Sequence, residues 1–161
     1  MTKLGRVAPT VAICAIAVFL VASIASAQSP SAAESKAAAK AHQLILQVNT
    51  NDPATMNLAL NNAANVEQYY RDLNEKVEIE IVAFGPGLHM LREDTSPVKD
   101  RIKSLAGTMR TISFRACGNT QENMGRAESK KITLIPQATV VDSGVVRVIE
   151  LQEQGWSYVR P

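Results

Sequence analysis

The sequence predicts an α/β fold: a five-stranded, mostly parallel sheet with helices on both faces. Three observations carry that expectation. Short apolar runs alternate with blocks of helical periodicity, the links between them are short, and the length suits one compact domain.

The first residues stand apart from this pattern. Lys3 and Arg6 precede the apolar stretch Val11–Leu20, and Ala25-Ser26-Ala27 follows as a small-residue cleavage signal. Residues 1–27 therefore read as a cleaved secretory signal peptide, which implies a periplasmic or secreted protein. The apolar run is shorter than the ~20 residues a spanning helix needs, and no later stretch is apolar enough to span a membrane. Residues 28–41 (QSPSAAESKAAAKA) hold no large apolar side chain and read as a flexible linker, leaving 42–161 as the folded domain.

Export changes the charge and thiol inventory. Lys3 and Arg6 are the only charges in 1–27, so their loss brings 17 Lys and Arg down to match the 15 Asp and Glu. A formally neutral chain gives no reason to expect nucleic acid. Of the two cysteines, Cys14 leaves with the signal and Cys117 remains. That excludes an intramolecular disulfide and a cysteine-based zinc cage.

Leu44–Val48 is the first strand, stopped by the turn residues Asn49–Asp52. Asp52 before Pro53 is a helix cap, and Met56, Leu60, Ala63, Val66, Tyr70 and Leu73 mark the apolar stripe of the helix it opens. In Val77–Phe84, alternation with Glu78 and Glu80 predicts an edge strand with one wet face. Gly85-Pro86-Gly87 reads as a tight turn, with one helical turn over Leu88–Leu91. A helix over Pro97–Ala106, capped by Ser96, is followed by a strand over Thr111–Cys117 and a short polar helix over Gly118–Ala127. Thr139–Val141, a helix opened by Asp142 or Ser143, and the terminal strand Trp156–Val159 complete the pattern.

In sheets of this kind, ligands gather beyond the carboxyl ends of the strands. The loops Asn49–Asp52, Gly85–His89 and Cys117–Thr120 meet that description. Cys117 sits where a strand passes into a helix, so free N–H groups and the positive end of the dipole favour its thiolate, the reactive form. Counting by twos puts Arg115 on the same strand face, as a charge near the sulfur. His89 is the candidate proton carrier. Asn49, Gly85, Gly87, Asn119 and Thr120 are expected to line the crevice. The GPG turn lacks the spacing of a phosphate-binding loop, no carboxylates fall at metal-ligand spacing, and no cofactor is expected.

The segments VNTNDPATMNLALNNAANV, VAFGPGLHML, FRACGNT and IELQEQGWSYVRP resemble the DsrE/DsrF-like family of sulfur-relay proteins with the YchN-like fold. The resemblance implies a flavodoxin-like α/β/α arrangement and assembly into trimers or hexamers. It also implies that Cys117, followed eight residues on by Gly125, carries sulfur as a persulfide. Arg126 follows that glycine, whereas the family's usual basic residue lies beside it on the other side. The expected function is thus to carry or transfer sulfane sulfur on Cys117 between donor and acceptor proteins, as a sulfur carrier or sulfurtransferase. The alternative is a non-catalytic, oligomeric module that binds a small ligand or partner.

Overall fold

The computed structural model describes residues 41–161; the signal peptide and nearly all of the linker read from the sequence lie outside them. The elements are β1 (His42–Val48), α1 (Pro53–Asp72), β2 (Val77–Ala83), a 3-10 helix (Gly85–Leu91), α2 (Lys99–Thr108), β3 (Ile112–Cys117), α3 (Gly118–Glu128), β4 (Ala138–Val141), α4 (Gly144–Glu153) and β5 (Ser157–Val159). The sheet has five strands in the order β4-β3-β2-β1-β5, and every pairing is parallel. This is the flavodoxin-like α/β architecture that the sequence predicts.

The order of strands decides where the helices go. From β1 to β4 the chain steps in one direction across the sheet, so right-handed crossovers put α1, α2 and α3 on one face. The link from β4 to β5 returns past β1 to the far edge, and α4 accordingly lands on the other face. Two cores result. The larger joins Leu46, Val48, Ile81 and Phe114 to Met56 and Leu60 of α1 and Ile102 of α2, with Met124 of α3 packed against it. The smaller joins Ile45 and Val82 to Val148 and Leu151 of α4.

Local chemistry sets the boundaries. The Asp52 carboxylate accepts from the N–H groups of Ala54 (3.2 Å) and Thr55 (3.0 Å), and Pro53 supplies the first helical residue. The α1 stripe is as expected except at Leu73, which lies past the helix end and is half exposed. The GPG segment belongs to the 3-10 helix, and Gly85 takes φ +53°, a left-handed backbone that glycine tolerates. At Gly87 a Cβ would fall 2.1 Å from the Val48 carbonyl oxygen, so glycine lets this helix press on the end of β1.

Two expectations are overturned. The helix expected from Pro97 with Ser96 as its cap starts instead at Lys99, with Val98 at the cap position and no side-chain hydrogen bond there. Val77–Phe84 is no edge strand: β2 lies at the centre of the sheet, between β1 and β3. The alternation arises because its charged residues face the side that α4 alone covers. Glu80 is only 4% exposed there. It accepts from Arg147 Nε (3.0 Å) and Nη2 (2.7 Å) and from Arg115 Nη2 (3.1 Å). Burial by itself pushes the Glu80 pKa up, but the bonds from Arg147 and then Arg115 outweigh this and hold it below the ordinary carboxylate value.

Glu80→Ala is expected to cost about 2–3 kcal/mol in urea unfolding, because it strands two half-buried guanidinium groups. Glu80→Gln is expected to cost less. Since the folded Glu80 titrates below its unfolded value, its contribution is complete above the ordinary carboxylate range. The difference between Glu80→Gln and the natural chain therefore shrinks as the pH falls through the folded value.

Candidate functional site

β3 and β4 are neighbours whose following helices leave toward opposite faces, so their carboxyl ends bound the crevice that this reversal opens. Cys117 ends β3 and is level with Val141 at the end of β4. α3 starts at Gly118, directly after the thiol, and α4 starts at Gly144. Two helix N-termini therefore meet at one sulfur. They are also stitched together, since the Asn119 N–H donates to the Asp142 carbonyl (3.1 Å).

Two glycines make the approach possible. A Cβ on Gly144 would lie 2.9 Å from Phe84 Cβ and 3.2 Å from Cys117 Cβ. A Cβ on Gly118 would lie 3.2 Å from the Val141 carbonyl oxygen.

Cys117 is 5% exposed. Burial by itself pushes the thiol up. Hydrogen bonds from the Thr120 hydroxyl, and from the N–H groups of Gly144, Thr120 and Asn119, outweigh it and bring the thiol below its ordinary value. Thr120 Oγ1 in turn accepts from the Gly85 N–H at 3.0 Å. Its single proton is thus left for the sulfur, and the start of the 3-10 helix is coupled to the site.

α3 buries none of its residues fully, so polar contacts hold it in place. Gln121 Nε2 donates to the Ile132 carbonyl (2.8 Å). Arg92, with 1% of its side chain exposed, bridges Asp94 (2.9 and 2.8 Å) and Glu128 at the end of α3 (2.5 and 2.8 Å). Bonds from Arg92, then Lys130, bring Glu128 down to about 2. This clamp is therefore complete above the ordinary carboxylate range and is lost only as the pH falls toward that value. Gly125 lies one turn earlier, where a Cβ would meet the Lys130 carbonyl oxygen at 3.1 Å. Arg126 is exposed and pairs along the helix with Asn123 and Glu122.

The other expected site residues divide. Gly85, Asn119 and Thr120 join Cys117, whereas Gly87 and Asn49 meet each other at the end of β1. Arg115 shares the expected strand face, but its hydrogen bond goes to Glu80 rather than to the sulfur. His89 Nδ1 is bonded to Thr95 Oγ1 at 2.8 Å. It lines an open groove of about 430 Å³ together with Gly85, Thr120 and Met124, and has no hydrogen bond to Cys117. Gly144 and the Val141–Ser143 loop also belong to the site, and no local motif marks them. A short strand ending in Ser-Gly before an apolar helix is the nearest signal, but only the strand order brings that loop to β3.

A model of the DsrE/DsrF-like family matches residues 17–161. The chain belongs to the DsrE/DsrF-like family. Among solved structures it is similar to the protein of unknown function MTH1491 from Methanobacterium thermoautotrophicum, at 30% identity and a TM-score of 0.63. That match covers 74% of this chain and 99% of the other. No curated protein matches. DsrE/DsrF-like membership points to a sulfur-relay role in general terms.

Gly144→Ala is expected to push the start of α4 off the sulfur, remove one of its N–H donors and raise the thiol's titration midpoint. Thr120→Val removes the hydroxyl and is expected to act in the same direction. The pH dependence of Cys117 alkylation in each variant checks this. A profile unchanged in both would mean that these donors do not set the thiol.

Proposed function

We propose that this protein is an exported sulfur carrier in which Cys117 accepts sulfane sulfur, holds it as a persulfide and passes it on. The observation that carries the reading is the meeting of two helix N-termini, at Gly118 and Gly144, beside one buried thiol whose titration is pulled below its ordinary value. Such termini favour a sulfur anion over its neutral form. In the accepting step the Cys117 thiolate attacks the outer sulfur of a donor persulfide, R–S–SH. The Cys117–sulfur bond forms as the donor's S–S bond breaks, giving Cys117–S–SH and R–S⁻; no net oxidant is needed. Transfer to an acceptor thiolate is the same exchange in reverse.

In this reading the groove beside Thr120 receives the donor, and His89 on its wall exchanges a proton with the donor or acceptor rather than with Cys117. Residues 1–27 serve as the export signal. The chain assembles with copies of itself into trimers or hexamers. Val145, Val146 and Ile149 support self-association, being 53%, 47% and 50% exposed along α4.

The burial of Cys117 favours a second reading, a binding module without sulfur chemistry. The two readings separate in one experiment. Purified protein is incubated with a sulfane-sulfur donor, weighed, and mapped by peptide. A carrier gains the mass of one sulfur at Cys117, reversible by a reducing thiol and absent in Cys117→Ser. No gain, or the same gain in Cys117→Ser, contradicts the proposal and favours the binding module.

A further inference from the structure

α4 meets the sheet in two different ways along its length. Its middle is held by apolar packing, with Val148 and Leu151 against Ile45 and Val82. Its first turn is held differently. Gly144 has no side chain, and Val145 and Val146 are 53% and 47% exposed. The Arg147 guanidinium supplies the grip, donating to Glu80 of β2 through Nε (3.0 Å) and Nη2 (2.7 Å). Arg147 also closes the turn, because its N–H donates to the Ser143 carbonyl at 2.9 Å. The turn held in this way is the one that carries Gly144, where a Cβ would lie 3.2 Å from Cys117 Cβ.

Glu80 is placed to act on both sides of the sulfur. It is 4% exposed, and its neighbours in register are Ile45 on β1 and Ser113 on β3. Two cations reach it, Arg147 from α4 and Arg115 from β3, the strand that ends in Cys117. Glu150, the other carboxylate beside Arg147, is half exposed and 4.0 Å from it. One carboxylate therefore ties together the centre of the sheet, the strand that presents the thiol and the first turn of α4. Replacing a buried ion cluster by well-packed apolar residues is often neutral or stabilising. Ile45 and Val82 already pack apolar side chains against α4 on this face, so stability alone gives little reason for a carboxylate here.

We infer that Glu80 is a positioning residue for the Cys117 site: through Arg147 it holds the first turn of α4, and with it the Gly144 N–H, against the sulfur. The inference rests on the reading of Cys117 as the reactive thiol. Without Glu80 the first turn swings out from the sulfur, while Val148 and Leu151 keep the rest of α4 in place.

The sign of one shift separates this role from a charge effect. Glu80→Ala removes a negative charge near the thiol, which by Coulomb's law alone lowers its titration midpoint. Loss of positioning raises it, because a donor leaves the sulfur. The pH dependence of Cys117 alkylation is measured in the natural chain, in Glu80→Ala and in Arg147→Lys. The lysine keeps every formal charge but lacks the guanidinium fork. Its site is partly exposed, so it carries the test if Glu80→Ala does not fold. A midpoint about 1 pH unit higher is expected in Glu80→Ala, the scale of one hydrogen bond to a charged group, with a smaller rise in Arg147→Lys. Ile102→Val, which weakens the core on the other face, is expected to leave the midpoint in place. A midpoint unchanged or lowered in Glu80→Ala overturns the inference, as does one unchanged in Arg147→Lys or raised equally in Ile102→Val. The titration uses no sulfur donor. A chain that behaves as expected here but gains no sulfur at Cys117 contradicts the proposed function alone.

Discussion

The reversal of direction between β3 and β4 is the constraint on which the rest of the site depends. Because a parallel crossover is right-handed, three successive steps in one direction stack α1, α2 and α3 on a single face. The return step then forces α4 to the other. The last residue of β3 is consequently bracketed by the starts of two helices that leave in opposite directions. Helix starts carry unpaired N–H groups, and Cys117 occupies the one position that both can reach. Small residues at Gly118 and Gly144 turn this topological coincidence into contact, since a methyl group at either would meet backbone or side-chain atoms.

Two charge clusters do work that apolar packing does not do in this fold. α3 buries no residue fully, so its alignment on the sulfur relies on Arg92 and its two carboxylates at one end and on Thr120 with Gly85 at the other. On the opposite face α4 covers only part of the sheet. There Glu80 joins a central strand to both its neighbour β3 and the covering helix. Such clusters are directional. They lose more than a methylene contact when one member is removed, because the remaining charges stay half-buried without a partner.

Much of this was legible in the sequence. Periodicity and capping residues located β1 and α1, since Asp52-Pro53 and the apolar steps that follow are local signals. The thiol was recognisable from its place at a strand-to-helix junction. The role of β2 was misread because alternation with glutamate reports a polar environment on one face, and an ion cluster inside the fold produces the same pattern as solvent. Arg115 lies on the expected face, but nothing local indicates that Glu80, 35 residues away, competes for its guanidinium. Gly144 was not recognised at all: its importance comes from strand order, a long-range property that no short segment encodes.

Donors at the starts of two helices pull the Cys117 thiol below its ordinary value, and its titration tests that most directly. The measurement is the ultraviolet absorbance of the thiolate in the natural chain as a function of pH, with Cys117→Ser as the blank. A midpoint below the ordinary cysteine value of about 8.5 is the predicted result. A midpoint at or above that value would mean that burial outweighs the converging donors, and would contradict the account.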